Sequence, residues 1–382
     1  MSHTCPKCNK EFKRKSGLGQ HEKRKTPCVK STGAPKPQKD QKPTKLQRLN
    51  YIGSKYQLLD WIEEQMLAKT GFETLAGKTV ADCFAGTGIV SYFLRTKGCR
   101  VLANDAEIYS SVITRAFVTE VWSPAAQEAL DKLNSDLTEK KHTNTFGFIT
   151  RNYSPYETCT RKFFTVDNAQ RIDYCREKIT SLSSDLQPIL LASLLLSADA
   201  IANVPAVYGC FLKSFKARAE VPLVLKPLHT NTIPAVEGSR CTRENITTMP
   251  PIEADIAYLD PPYNERQYSK NYFPLNMIVE PSLKPLKGKT GIPEECFLSP
   301  FCQKKHVAGA FRDALKKLNA SWVFISYNSE SLLKKDEMLN ILGEFGEASV
   351  VEREYKRFKS FEYNEDKSIH EYLFCLKRSV AA

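Results

Sequence analysis

No stretch of this 382-residue chain approaches the ~20 consecutive apolar residues of a membrane-spanning helix. No apolar core follows the basic N-terminal segment, so no secretory signal is expected either. There is no internal repeat, which excludes architectures built on one. The twelve cysteines form no disulfide framework. They are scattered, and Cys83, Cys99, Cys210 and Cys375 lie inside apolar runs. That pattern predicts reduced, buried thiols in an intracellular compartment, cytoplasm or nucleus. Excess charge is also missing from most of the chain. Residues 49–382 hold 41 basic and 40 acidic side chains, whereas residues 1–48 hold 14 basic against 3 acidic. Nearly all of the net charge of +12 therefore sits in the first eighth, a segment suited to attract phosphate backbones in a salt-dependent way. The charged fraction of 26% and hydrophobic fraction of 42% are those of a soluble globular protein, long enough for one large domain or two ordinary ones.

The first 28 residues follow the spacing C-x2-C-x3-F-x5-L-x2-H, with Cys5, Cys8, Phe12, Leu18 and His21, and then Cys28. Two thiolates on a hairpin and an imidazole on a helix suit tetrahedral zinc, and Phe12 with Leu18 supply a miniature core. Zinc held by Cys5, Cys8, His21 and Cys28 is expected to stabilise this small ββα finger, by ~10–16 kcal/mol in such peptides. Six residues separate His21 from Cys28, where three to five is common. Arg14, Gly17 and Gln20 occupy the helix positions that face bases in such fingers, but Gly17 has no side chain to reach a base. A phosphate-gripping tether is expected, with protein docking as the alternative. Residues 29–48 are rich in Pro, Lys and Gln and read as a flexible linker spanning on the order of 25 Å.

From residue 49 to 382 the pattern is α/β. Tyr56, Leu59, Ile62 and Met66 are spaced for one helical face. Strands are predicted at 79–84 and 100–104 around a helix at 89–97, which together make one right-handed βαβ unit. Residues 107–220 read as mainly helical, with a long apolar helix over 188–216. The sheet resumes near 255–260 and again at 321–326, and 348–355 is expected to pair antiparallel with 371–377. The fold class is an open, doubly wound Rossmann-like sheet with a helical insertion of about 130 residues.

Two places carry chemistry. Asp82-Cys83-Phe84-Ala85-Gly86-Thr87-Gly88 turns the first strand into its helix, where glycines admit a ligand to the backbone. Asp105 ends the next strand, where an acid binds ribose hydroxyls. The third glycine of a dinucleotide fingerprint is replaced by Ser91, which argues for S-adenosylmethionine over NAD. Upstream, Lys55 is a candidate to reach the methionine carboxylate. The second place is Asp260-Pro261-Pro262-Tyr263, after the apolar run Ile256 to Leu259. Proline cannot continue the ladder, so the strand stops in a rigid corner with a carboxylate, a free carbonyl and an aromatic face. Those groups suit a planar ring bearing an exocyclic amine, and methyl transfer to an extruded base.

With both motifs in place, residues 48–378 resemble the DNA adenine methylases of the alpha group. Tyr51-Ile52-Gly53-Ser54-Lys55, Phe84 to Gly88, Asn104-Asp105, Phe164 to Ala169, Asn264-Glu265-Arg266-Gln267-Tyr268 and Ser326 to Glu330 carry the resemblance. The finger is not a standard part of that family, and its ending is similar to fingers of large DNA viruses. The resemblance implies a methyltransferase domain whose target-recognition insertion spans about 110–250. It implies that Tyr51, Lys55, Asp82, Phe84, Gly86, Gly88, Asp105 and Asn245 meet the cofactor. Asn245 stands where the family places an aspartate against the cofactor's adenine. It also implies that Asp260 and the Pro261 carbonyl accept the two N6–H bonds of a flipped adenine, while Tyr263 stacks on its ring. Double-stranded DNA is the expected partner, bound by a monomer, with a companion restriction endonuclease as a further expectation. Arg151, Arg161, Lys162, Lys213, Lys216 and Arg218, and the loop 281–306 with Lys284, Lys287, Lys289, Lys304 and Lys305, are candidate DNA-facing groups. An RNA guanine-N2 methyltransferase is the rival enzyme, though the 172 positions between Gly88 and Asp260 are many for that compact class. The rival of another class is a non-catalytic zinc-dependent DNA-binding protein with a degenerate methyltransferase body.

Overall fold

The apolar runs at 101–103, 256–259 and 322–325 become strands of a seven-stranded sheet. The structure, a computed structural model, describes residues 3–5, 11–12, 16, 21, 48–228, 233–234, 236–355 and 369–378. The chain divides into two units, residues 1–46 and 47–382. In the first, His3–Thr4 (β1) pairs antiparallel with Glu11–Phe12 (β2). Cys5 is buried and His21 has helical backbone. Cys8, Leu18 and Cys28, and linker residues 29–47, lie outside the described residues. Among the described residues no group of three or more His, Cys, Asp or Glu is placed to hold a metal ion.

In the second unit, Leu59–Thr70 (α1) buries Leu59, Ile62 and Met66 on the predicted face. Tyr56 instead stays partly exposed, and Leu58 takes its place in the core. Thr79–Asp82 (β3), Ile89–Thr96 (α2) and Arg100–Asn104 (β4) form the expected parallel βαβ unit. The insertion follows, with the helices Ile108–Val118 (α3), Pro124–Thr138 (α4), Phe148–Tyr153 (α5), Val166–Thr180 (α6), Gln187–Ala200 (α7) and Ala217–Glu220 (α8). The single long helix predicted over 188–216 is corrected: α7 ends at Ala200. The residue before a proline is disfavoured in helix, and Val204 precedes Pro205. Asn203 then stabilises the non-helical exit, donating its amide to Lys162 O and Leu212 O and accepting from the Lys216 N–H.

The chain returns to the sheet through a short strand absent from the sequence reading, Arg240–Thr242 (β5), and then through Ile252–Leu259 (β6). The helices Tyr268–Asn271 (α9) and Phe273–Val279 (α10) lead to a small hairpin, Leu286–Lys287 (β7) with Ile292–Pro293 (β8). Val307–Lys316 (α11), Leu318–Asn328 (β9), Lys335–Gly343 (α12), Gly346–Tyr355 (β10) and Ile369–Arg378 (β11) complete the unit. The sheet order is β10-β11-β9-β6-β3-β4-β5. The five strands from β5 to β9 are parallel, and β11 and β10 are antiparallel additions, so the predicted C-terminal pair is present. Ile256, Ala257, Tyr258 and Leu259 are fully buried in this sheet, which aims whatever follows Leu259 out of its carboxyl edge. The chain switches direction at β3, whose neighbours are β4 on one side and β6 on the other. Ligands bind outside the strand ends at such a switch point.

One buried cation pins the insertion to this frame. Arg95, at the end of α2, is 2% exposed and donates to the carbonyls of Phe117, Glu120, Ile233 and Pro234 at 2.7–3.2 Å. The thiols largely follow expectation: Cys83, Cys99 and Cys375 are buried and free, but Cys210 is exposed.

Candidate active site

At the switch point, the loops after β3, β4 and β6 line a cleft of the kind in which small-molecule ligands bind. Its floor is the glycine turn. Gly86 has φ +55, and a Cβ there would stand 3.2 Å from the Tyr51 ring, so only glycine leaves that wall in place. Asp105, at the end of β4, accepts the Gly86 N–H at 2.7 Å and the Glu107 N–H at 2.9 Å. Its carboxylate faces the cleft while fixing the turn. Burial pushes its pKa up, against the pull of those N–H bonds.

Glu107, a residue outside the two motifs, also lines the cleft. Its carboxylate accepts the Asn276 amide at 2.8 Å, and burial pushes its pKa up to about 7 despite that bond. The signal was present in Asn104-Asp105-Ala106-Glu107, where a second acid follows the first by two residues. Asp82 requires a correction. It is 1% exposed, lies outside the cleft lining, and accepts the Ser91 hydroxyl at 2.6 Å. It therefore anchors the first turn of α2. Burial, with Asp260 and Asp105 nearby, raises its pKa to about 7 against the opposing Ser91 bond. Phe84, Gly86, Thr87 and Asn245 line the cleft. The Asn245 side-chain oxygen also accepts from the Thr247 N–H and hydroxyl, which fixes the amide's orientation.

The opposite wall comes from residues 51–55 and 260–268. Asn50 is held by Asp199 of α7, whose carboxylate accepts the Asn50 N–H at 2.9 Å, the Asn50 amide at 3.0 Å and the Tyr208 hydroxyl at 2.9 Å. Tyr51 is thereby delivered into a group of tyrosines. Its ring stacks on Tyr272 at 4.8 Å and lies 5.3 Å from Tyr268. Gly53 has φ +79, and a Cβ on it would reach 3.2 Å from Tyr263. Lys55 lines the cleft as well. Its ammonium bonds Asp260 Oδ1 at 2.7 Å and the Gly53 carbonyl at 3.1 Å. Burial works against the charge on Lys55, but the Asp260 and Glu371 carboxylates outweigh it and hold the ammonium above its ordinary pKa. Glu371 of β11 was not singled out in the sequence, because antiparallel pairing across the sheet brings it here.

Asp260 follows the last residue of β6. Burial raises its pKa while Lys55 opposes the rise. Pro261 is buried, whereas Pro262 and Tyr263 line the cleft. The Tyr263 carbonyl accepts the Leu332 N–H at 3.0 Å, which ties the corner to the loop after β9. Lys55 occupies one oxygen of Asp260; a carboxylate has further lone pairs to offer a second donor. One cleft thus joins a glycine turn with two acids at one end to a carboxylate beside an aromatic ring at the other.

Most of the predicted DNA-facing cations have structural duties. Arg161 bonds the carbonyls of Asn152, Gly288 and Lys289, Lys162 bonds Lys213 O, Lys216 bonds Val204 O, and Arg218 bonds Ala202 O. Arg151 bonds Phe146 O, and Lys284 and Lys287 pair with Glu295 and Glu294 across the β7–β8 hairpin.

Residues 51–341 match the family of D12 class N6 adenine-specific DNA methyltransferases. The chain is 41% identical over 333 residues to the Type II methyltransferase M.CviAII of Paramecium bursaria Chlorella virus 1, covering 86% of this chain and 98% of that protein. It is 35% identical to the Type II methyltransferase M.NlaIII of Neisseria lactamica, covering 82% of this chain and 93% of that protein. It is 33% identical to the Type II methyltransferase M.FokI of Planomicrobium okeanokoites, covering 87% of this chain but 53% of that longer protein.

Proposed function

The chain belongs to the D12 class N6 adenine-specific DNA methyltransferase family, and we propose that Asp260, Pro261 and Tyr263 hold the target adenine while the end of the cleft at Gly86 and Asp105 holds S-adenosylmethionine. The cleft suits the methyl donor. The close approach permitted by Gly86, the paired acids Asp105 and Glu107 for hydroxyl groups, and the fixed amide of Asn245 match an adenosine that carries no pyrophosphate. When bound, S-adenosylmethionine supplies an electrophilic methyl group. The remaining tasks fall to this chain's own residues.

Adenine N6 cannot meet a sulfonium methyl from inside the stacked duplex, so the base must leave it. Asp260 accepts one N6–H on the oxygen that Lys55 leaves available, and the Pro261 carbonyl accepts the other. These bonds draw the nitrogen lone pair out of the ring and toward the methyl group. Tyr263 stacks on the base, and Gly53 allows that ring to sit where it does. Lys55 opposes the rise that burial imposes on the Asp260 pKa and so favours its charged form, which makes the stronger acceptor. Rate then comes mainly from positioning. The observation that carries this reading is the Asp260 carboxylate sharing one cleft with Tyr263, Gly86 and Asp105.

The target-recognition role falls to the insertion, and double-stranded DNA is its ligand. We further assign the first 28 residues to a zinc-stabilised finger with Cys5, Cys8, His21 and Cys28 as ligands. The spacing supports it, as do the β1–β2 pairing and the burial of Cys5. Metal analysis of the purified protein should find one zinc per chain, and a metal-free, folded finger would sink the assignment. A companion restriction endonuclease fits relatives of the type II class. The main test is expression in cells carrying unmethylated plasmid, followed by long-read mapping of modified bases. N6-methyladenine confined to one sequence is expected, and a plasmid without it would refute the reading.

A further inference from the structure

Two segments that are distant in sequence are stitched together at the mouth of the cleft. The Gln267 side chain makes a double bond pattern with Ser299, donating to its carbonyl at 3.1 Å and accepting its N–H at 2.8 Å. Ser269 donates to the Phe297 carbonyl at 2.6 Å, and the Cys302 thiol donates to the Arg266 carbonyl at 3.3 Å. The backbone at 297–302 is therefore held against the residues that directly follow the Asp-Pro-Pro-Tyr corner.

Two phenylalanines of this segment line the cleft, and they differ in what they touch. Phe301 is 1% exposed and sits edge-on to Phe84 at 5.0 Å and to Phe311 at 5.1 Å, so it belongs to the core. Phe297 is 37% exposed and makes no ring contact among the described residues. Leu298 beside it is 49% exposed. A pinned backbone that presents an uncovered aromatic ring to a ligand cleft calls for a ligand with a flat apolar face. The two segments that are stitched together also carry, within a few residues of these bonds, the exposed cations Arg266, Lys270, Lys304 and Lys305, none of which pairs with a carboxylate among the described residues. Cations around an aromatic platform are the combination that binds an unstacked nucleotide, the phosphates held by charge and the base by stacking.

We propose that Phe297 is a second base-contacting ring, covering the extruded adenine at the mouth of the cleft, on a backbone that Ser269 and Gln267 pin. The inference rests on the assignment of Asp260 to Tyr263 as the target pocket.

The test measures single-turnover methyl transfer from labelled S-adenosylmethionine to unmethylated plasmid DNA. It compares wild type with Phe297→Ala, Phe297→Leu and Phe297→Trp, alongside calorimetric affinity of each free protein for S-adenosylmethionine. Stacking of one base is expected to be worth roughly 10–100-fold on alanine substitution. Phe297→Ala should therefore lose about that much in the single-turnover rate at subsaturating DNA, with Leu restoring little and Trp restoring most. Cofactor affinity should stay within about twofold of wild type in all three. Leu matching Trp would reduce Phe297 to generic apolar filling and overturn the proposal, as would an unchanged alanine variant. A parallel loss of cofactor affinity would place the ring on the cofactor instead. An inactive wild type would refute the target pocket itself, whereas an active wild type insensitive to position 297 would refute only this inference.

Discussion

Asp260 is one side chain with three demands on it. In the proposed mechanism it must be buried enough to exclude water, charged enough to draw a proton-bearing nitrogen, and available on at least one oxygen. Lys55 at 2.7 Å meets the second demand without consuming the third. Asp260→Ala should lower methyl transfer at least ~100-fold, the scale of a lost transition-state contact, with S-adenosylmethionine affinity retained. More than a few per cent residual activity in a single-turnover assay would refute its role. Asp82 makes a different prediction, one of stability. Its folded pKa, raised by burial to about 7 from the ordinary carboxyl range, means that the native state keeps a proton the unfolded chain has lost. Stability is then fully present below the unfolded pKa and falls as pH rises toward 7. Glu107 adds to the same slope. Asp82→Asn keeps a group that accepts from Ser91 and removes the titration. It should raise the melting temperature relative to wild type at pH 8 but not at pH 4. Equal differences at both pH values would show that Asp82 is not the titrating group.

Elements, unlike single residues, are placed by what they can bury. The βαβ unit and β6 were legible because their apolar runs had only one place to go. The short β5 was not, because three residues with one exposed carry no periodic signal and pair only once β4 offers its edge. The end of α7 was misjudged for a related reason: apolar composition continued past Ala200, and the stop came from the Val204–Pro205 step and the bonds of Asn203. Arg95 was invisible as an anchor, since its four carbonyl acceptors come from segments near 117–120 and 233–234. Those carbonyls make the residue costly to replace. Arg95→Met fills similar space but strands buried acceptors, and should cost about 3 kcal/mol or more in denaturant unfolding. A loss below ~1 kcal/mol would mean that water satisfies them.

Across the whole molecule, charge and chemistry are separated. The unit that holds the cleft is close to neutral, while residues 1–48 carry +11. Deleting 1–48 should therefore weaken DNA binding and flatten its salt dependence far more than it slows single-turnover methyl transfer at saturating DNA, because phosphate contacts set the slope of affinity against salt. An unchanged salt slope would assign the first grip on DNA to the cleft-bearing unit. Local chemistry was legible along the chain: the strand that ends at Asp260, the glycine turn, the acid at 105, and the aromatic after two prolines. Each follows from backbone rules that act within a few residues. Tertiary structure alone decided which groups meet. It paired Lys55 with Asp260, turned Asp82 away toward Ser91, brought Glu371 in from the last strand, and held the Phe297 backbone through Ser269. Those contacts join residues far apart in the chain, so no local pattern encodes them; they exist because the sheet order and the burial of its faces leave those side chains nowhere else to go.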